Sequence, residues 1–528
     1  MSNTDIIKNI DRQPNHHIPV KTWIGMLGAM LGAFMAVLDI QITSSSLAEI
    51  QATLGATLEE SSWISTAYLV AEVVVIPLTG WLSKIFSIRR YLLTNTILFI
   101  IFSIACAWSV NLQMMIVCRA LQGFTGGILI PMALTIVLTT LPPSKQTIGM
   151  AMFAITATFA PSIGPTLGGW ITDNLSWQYN FYLNIIPGII MISAIGYAIK
   201  PTPLHLEKLR EGDWGGIITM AIGLGSLEIL LEEGNRKDWF SSEFIIQLTI
   251  ISIVFLSTFL WLELTTKRPF INLRLLKRRN FGIGSLVALP LGLGLYGSIY
   301  LLPLYLSQIQ RYTAMQIGEV IMISGVPQLF IIPFVPKILQ RFDARLVAAV
   351  GFSLFATSCF MNSSMTYLTG IDQLRWSQLV RAIGQPLMMV PLTSITTGNI
   401  EPEQAGSASG LFNMLRNLGG SIGIALLSTI ITWREQFHSN RIGDNISLLN
   451  PATQQRIEEL TQFFMSKGAD AITAQNQALT QIANIVRREA YIMAYNDGFY
   501  LVGFALLLSG IVLLFCKPVK PGSGAGAH

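Results

Sequence analysis

Seven ionisable residues sit inside long apolar runs of the sequence. Asp39 lies in AVLDIQITSSS and Glu72 in YLVAEVVVIP; Arg119, Glu228, Glu319, Arg381 and Arg416 lie in later runs. A charge at the middle of a membrane helix costs about 2.5–3.5 kcal/mol on insertion scales, so each needs a partner or a task. A carboxyl removed from water can take up and release a proton within the working pH range, because its surroundings set its proton affinity. Asp39 is best placed for this, alone in its run and towards the outer half. Its structural alternative is hydrogen bonding to neighbouring hydroxyls or capping of a helix end. Glu72 has the same potential, or it pairs with Arg119, and protonation would then break the pair. Glu228 and Glu319 read as groups nearer the span ends. Arg381 and Arg416 read as anchors of helix contacts.

A second signal comes from residues without charge. TATFAPSIGPTLGGWI places Gly164, Gly168 and Gly169 at helical spacing, which lets a neighbouring backbone approach closely. Pro161 and Pro165 each remove a backbone hydrogen bond and permit a bend. NMLRNLGGSIGIA (413–425) carries a similar small face. Other chemistries lack their residues. There is no GxxxxGK[ST], HExxH or GxSxG, and no histidine lies within an apolar run. The four cysteines show neither CxxC nor Cys/His spacing. Enzymatic, metal-dependent and ATP-driven readings have nothing to stand on, and no cofactor is expected.

The elements that position these groups follow from composition. Of 528 residues, 52% are hydrophobic and 12% charged, against about 25% charged in soluble domains. Fourteen helical spans of about 21 residues would use roughly 290 residues, which the length accommodates. The net charge of +5 is too small and scattered for nucleic acid. The expected spans include 214–231 and 243–263; the last three are 373–397, 405–432 and 494–516. With the N-terminus inside, 21 lysines and arginines fall in inner segments. Four, Arg236, Lys237, Arg311 and Arg375, fall in short outer loops. This asymmetry puts both termini on the cytoplasmic side.

Two stretches repeat. VVVIPLTGWLSKIFSIRR (73–90) aligns with LFIIPFVPKILQRFDARL (329–346), matching Ile76/Ile332, Pro77/Pro333, Phe86/Phe342 and Arg89/Arg345; VCRALQG (117–123) aligns with LVRAIGQ (379–385). A duplicated six-helix bundle follows. The expected organisation is an N-terminal segment 1–21, a bundle 22–199, two inserted spans with linkers 200–280, a second bundle 281–516 and a tail 517–528. Within the second bundle, 433–493 is too long for a passive outer loop. Asn450-Pro451 starts a helix there, Lys467-Gly468 stops it, and a second stretch runs from about Ile472 towards the last span.

These residues together resemble the fourteen-span drug:proton antiporters of the major facilitator superfamily, of the EmrB/QacA type. LDIQITSSSLAEI (38–50) is similar to the span-1 motif, with Asp39 at its acidic position, and WISTAYLVAEVVVIPLTGWL (63–82) to the span-2 pattern. RALQGFTGG (119–127) matches RxxQG, and GPTLGG (164–169) matches GPxxGG. WQYNFYLNIIPG (177–188) resembles W-R-x-x-F-x-x-N-x-P, with Gln178 in place of Arg and Pro187 one residue late. The loop after span 2 departs further. Where the family has G-x-L-x-D-R-x-G-R-R, this chain reads GWLSKIFSIRR, with Lys84 at the Asp position and Ser87 near the Gly position.

The resemblance implies an all-α major facilitator fold and proton-driven export of amphipathic drugs from the inner membrane. It implies that Asp39 carries the proton with Glu72 and Arg119, and that Pro161, Gly164, Pro165, Gly168 and Gly169 form a hinge. Gly80, Lys84, Arg89 and Arg90 would form a cytoplasmic gate. Gln122, Glu228, Arg381 and Arg416 would border a substrate cavity between the bundles. The long outer loop and MAYNDGFY (493–500) resemble EmrB, which implies a periplasmic EmrA-like adaptor and a TolC-like outer-membrane channel. The alternative cargo is an endogenous metabolite such as a fatty acid or siderophore.

Overall fold

A computed structural model describes residues 18–210, 212–266, 269–398, 400–446 and 450–518. Most of the expected N-terminal segment and tail, with Lys8, Arg12, His16, His17, Lys520 and His528, lie outside the described residues, as do Lys267 and Arg268.

The first bundle holds α1 (Val20–Ser45), α2 (Trp63–Phe86), α3 (Ile88–Ala107), α4 (Leu112–Gly126 continuing as Leu129–Thr140), α5 (Pro143–Asn174) and α6 (Ile185–Ala198). α7 (Trp214–Glu233) and α8 (Glu243–Thr265) follow. The second bundle holds α9 (Arg279–Gln308), α10 (Ala314–Ile331), α11 (Ala344–Asn362), α12 (Ile371–Thr397) and α13 (Ala405–Gly443), with α14 (Pro451–Ser466) leading to α15 (Ala471–Leu513). The bundles meet where α2 and α4 pack on α13, and where α5 packs on α10 and α12. α7 and α8 pack on each other, and α7 touches both bundles through α2 and α13. The chain is thus all-helical, two six-helix bundles with two helices between them.

Thirteen helices among the described residues are long and apolar enough to cross a membrane. The fourteenth expected span, 373–397, exists as the 27-residue α12 but does not meet that hydropathy criterion. It carries Gln378, Arg381 and Gln385, and it is shielded by α10, α11 and α5. A helix enclosed by protein needs no lipid-facing apolar surface, so hydropathy understates it.

The duplication leaves a physical mark. Arg89 Nη2 donates to the carbonyl of Gly196 near the end of α6, at 2.7 Å, and its repeat partner Arg345 donates through Nη1 to the carbonyl of Cys516 beyond α15, at 2.9 Å. Each arginine thus closes its own bundle at the C-terminal end of the last helix, where carbonyls lack intrahelical partners. Arg345 also binds Asp343 at 2.7 Å, which holds that carboxyl below its usual range.

Ser87 links α2 to α3 with φ +71°, a backbone region that favours glycine. It lies near the Gly position of the pattern that the loop resembles. Ser87→Gly should therefore stabilise the protein by roughly 1 kcal/mol. Thermal unfolding of the purified protein checks this; an unchanged or lower melting temperature would contradict it.

In the outer segment, α14 and the start of α15 pack on each other as a helical hairpin. α13 continues to Gly443, eleven residues past the expected end at 432, and the helical stretch expected from about Ile472 begins at Ala471 and runs unbroken into the last span as α15. The bundle helices themselves extend outward, because nothing between Trp433 and Arg441 breaks a helix. Asn450 caps α14 through Ala452 N, and Gly468 (φ +99°) reverses the chain, as the sequence indicates. Asp497 on α15 binds Arg434 at 2.6 Å and His438 at 2.8 Å on α13, joining the two where they leave the bundle.

Candidate functional site

Asp39 is 2% exposed and lies on α1. Four elements of the same bundle converge on it. From α4, Arg119 Nη1 binds Oδ2 at 2.6 Å, and Gln122 Nε2 donates to Oδ1 at 3.0 Å. Arg119 and Gln122 are three residues apart, so RxxQG places both on one helix face. Gln122 Oε1 accepts from Arg119 Nη1 at 2.8 Å, which orients the guanidinium. From the segment before α6, Asn184 Nδ2 donates to Asp39 Oδ1 at 2.6 Å and to Ser103 Oγ on α3 at 3.0 Å. The Tyr68 ring from α2 lies 4.3 Å from the Arg119 guanidinium, and the Phe181 ring lies 5.9 Å away. A buried carboxylate with a paired cation and two amide donors is satisfied only while it is charged. Removing its charge would leave the buried Arg119 uncompensated.

Glu72, on α2, is 3% exposed and does not pair with Arg119, one of the two alternatives the sequence offers. Arg119 is taken by Asp39, which meets it from the neighbouring helix. Glu72 Oε1 instead accepts from Asn417 Nδ2 on α13 at 3.2 Å, across the bundle interface. Next to it, Arg416 is 2% exposed, and its Nε and Nη1 have no hydrogen-bond partner. Two more contacts bridge to α13. Ser409 donates to the Pro131 carbonyl of α4 at 2.6 Å, and Ser421 donates to Glu228 Oε1 of α7 at 2.6 Å. Glu228, five residues before the end of α7, is fully buried; Glu319, by contrast, is exposed.

The glycines of GPTLGG fit α5 against two helices. A Cβ on Gly164 would collide with Gln41, one on Gly168 with Ser45 and the Ile42 backbone of α1, and one on Gly169 with Ala314 of α10. Pro161 and Pro165 lie within the continuous α5. At the basic end of the molecule, a Cβ on Gly80 would meet the Gly406–Ser407 backbone, so α2 and α13 touch there main chain to main chain. Lys84 borders the same cavity as Ser407 and is exposed, as is Arg90 on α3.

Residues 29–424 match the Major Facilitator Superfamily family model. The chain is 34% identical over 503 residues to the multidrug export protein EmrB of Escherichia coli K12, covering 94% of this chain and 96% of EmrB. It is 32% identical over 507 residues to the fatty acid resistance protein FarB of Neisseria gonorrhoeae, covering 96% and 98%. The chain belongs to the major facilitator superfamily. Within it, this is a drug transporter of the EmrB type and a multi-pass membrane protein. The solved major facilitator structure of the proton:xylose symporter XylE has the same fold, with TM-score 0.61, 13% identity, and 96% of this chain and 98% of that one covered.

The superfamily's repeat is chemically unequal here. Arg381 matches Arg119 in the sequence repeat but has no carboxylate partner among the described residues. Its Nε donates to Gln385 Oε1 at 3.3 Å, and Gln385 also accepts from Gln328 at 3.2 Å. Arg381 therefore sits in the second bundle's core, with the Phe355 ring 5.3 Å away. Gln122, expected at a cavity, belongs to the Asp39 cluster. Asn184 and Tyr68 were not singled out, although both lie in stretches that resemble family signatures.

Proposed function

We propose that this EmrB-type transporter is a proton-coupled exporter of amphipathic drugs. The buried Asp39–Arg119 pair, enclosed by Gln122 and Asn184, carries this reading. In it, proton uptake on Asp39 frees Arg119, loosens α1 from α4, and biases the bundles towards the other arrangement. Glu72 adds a second titratable group whose bond to Asn417 spans the two bundles. Pro161, Gly164, Pro165, Gly168 and Gly169 form the moving surface of α5. Gly80, Lys84, Arg89 and Arg90 lie at the gate of the basic end, which faces the cytoplasm with both termini. One proton crossing 100 mV supplies about 2.3 kcal/mol, enough for a substrate gradient of roughly 40-fold. Dye accumulation in proteoliposomes under an imposed proton gradient tests this. Movement that ignores the gradient and a protonophore would overturn the coupling.

A second cargo has a specific observation in its favour. The unpaired Nε and Nη1 of Arg416 offer two buried donors to a carboxylate, and a fatty acid resistance protein is among the relatives. An anionic cargo would compete with anionic rather than cationic dyes, and Arg416→Gln would remove that competition.

The outer helices suit a periplasmic partner of the EmrA-like adaptor class, with a TolC-like outer-membrane channel beyond it, and the protein itself in the inner membrane. Phe463, Met465, Ile472 and Leu479 are exposed on this unit. Replacing α14, Pro451–Ser466, by a short Gly-Ser link should leave proteoliposome transport within about twofold of wild type. It should abolish resistance in intact cells. Loss of both activities would show that α14 is needed for folding instead.

A further inference from the structure

At the basic end lies a cavity of about 440 Å³ bordered by three separate parts of the chain. Trp81 and Lys84 come from the end of α2, Phe270, Arg274 and Arg278 from the α8–α9 linker, and Gln404 and Ser407 from the start of α13. We infer that this cavity binds a phosphate-bearing anion.

Four features point to it. Lys84 and Arg274 have no ion-pair partner among the described residues, and both face the same space as Arg278. Ser407 is 8% exposed, and its hydroxyl has no hydrogen-bond partner among the described residues although it borders the cavity. Gln404 stands at the N-cap of the 39-residue α13 and makes no side-chain cap bond. Its buried Oε1 is also without a partner, and exchanging the amide's O and N would turn a donor inward instead. The start of a long helix offers free N–H groups and the positive end of its dipole. The acids nearby do not fill the space. Glu401 is exposed and binds Arg278 at 3.0 Å, while Glu403 and Lys208 act on Lys84 from opposite sides in sign.

The cavity walls favour an organic phosphate over a bare halide. Trp81 and Phe270 give it an apolar side, while the cations come from two elements, Lys84 from α2 and Arg274 and Arg278 from the linker, as suits several anionic oxygens. The site also depends on a departure of this chain. The family pattern has Asp at the Lys84 position, and an acid there would repel the ligand that Lys84 attracts. Two sources share this chemistry, an anionic lipid headgroup and a soluble phosphate ester. Either would tie α2 and the linker to α13 beside the Gly80–Gly406 contact, and so hold the basic end closed.

The test uses the full-length protein in phosphatidylcholine nanodiscs, titrated with glycerol 3-phosphate, and in nanodiscs containing added phosphatidylglycerol. Thermal unfolding and native mass spectrometry read the binding. A saturable stabilisation by glycerol 3-phosphate identifies a soluble phosphate as sufficient. Stabilisation with retained phosphatidylglycerol alone identifies the lipid headgroup. In either case Arg274→Gln and Lys84→Asp should weaken apparent affinity roughly tenfold, and Arg274→Lys should keep most of it. Arg274 is exposed in a short turn, so its substitution leaves the fold intact. No saturable response to either probe, or equal responses in wild type and Arg274→Gln, would overturn the inference.

Discussion

Asp39→Asn is expected to insert into the membrane and to lose all gradient-driven accumulation, from roughly 40-fold to none. Asparagine has the shape of aspartate but a single acceptor oxygen, which can face either Arg119 or the Gln122 and Asn184 amides, and it cannot exchange a proton. The substitution also leaves Arg119 buried without a counter-charge, which costs about 3–5 kcal/mol when a buried pair is broken. Stability and coupling are therefore confounded in the single variant. The double variant Asp39→Asn with Arg119→Gln separates them. It removes both charges, retains amide-to-amide hydrogen bonding, and should recover most of the lost stability without recovering transport. Proteoliposome accumulation and thermal unfolding, measured on the same preparations, decide this. Active accumulation in either variant would remove Asp39 from the coupling step and shift the search to Glu72.

Gly168→Val is expected to reduce transport by roughly 100-fold, with a loss of about 1–3 kcal/mol from overpacking. A side chain at 168 would run into Ser45 and the Ile42 backbone. Ile42 is one turn beyond Asp39, so pushing α1 away from α5 displaces the carboxyl from Arg119 and Asn184. Gly196→Ala is the control, since nothing lies within 4 Å of a Cβ there, and its effect should be small. Equal effects at the two positions would mean that the close approach of α5 to α1 is irrelevant to turnover.

The α-helical class, the span pattern and the duplication were legible because apolar length and basic asymmetry are one-dimensional signals. α12 is the instructive exception among the spans. Its polar residues are buried inside protein, so its membrane role cannot be read from hydropathy alone. The outer segment was half legible. Its caps at Asn450 and Gly468 are local chemistry, whereas the unbroken extension of α13 to Gly443 follows only from the absence of a stop.

The candidate site divides in the same way. The sequence by itself determined that Asp39, Glu72, Arg119, Glu228 and Arg416 lie in apolar surroundings, because a charge in an apolar run is visible without coordinates. It also fixed the pairing of Arg119 with Gln122 on one face, because helical periodicity sets that. Only the tertiary structure decided which carboxylate Arg119 takes. Asp39 is 80 positions away in sequence and Glu72 is 47, and the packing of α1 beside α4 settles the choice in favour of the more distant one. The tertiary structure alone also placed Glu72 against Asn417, 345 positions away, and gathered Lys84, Arg274 and Ser407 around one cavity. Partner choice between helices depends on which faces pack together, and that is a property of the assembled bundles rather than of any single span.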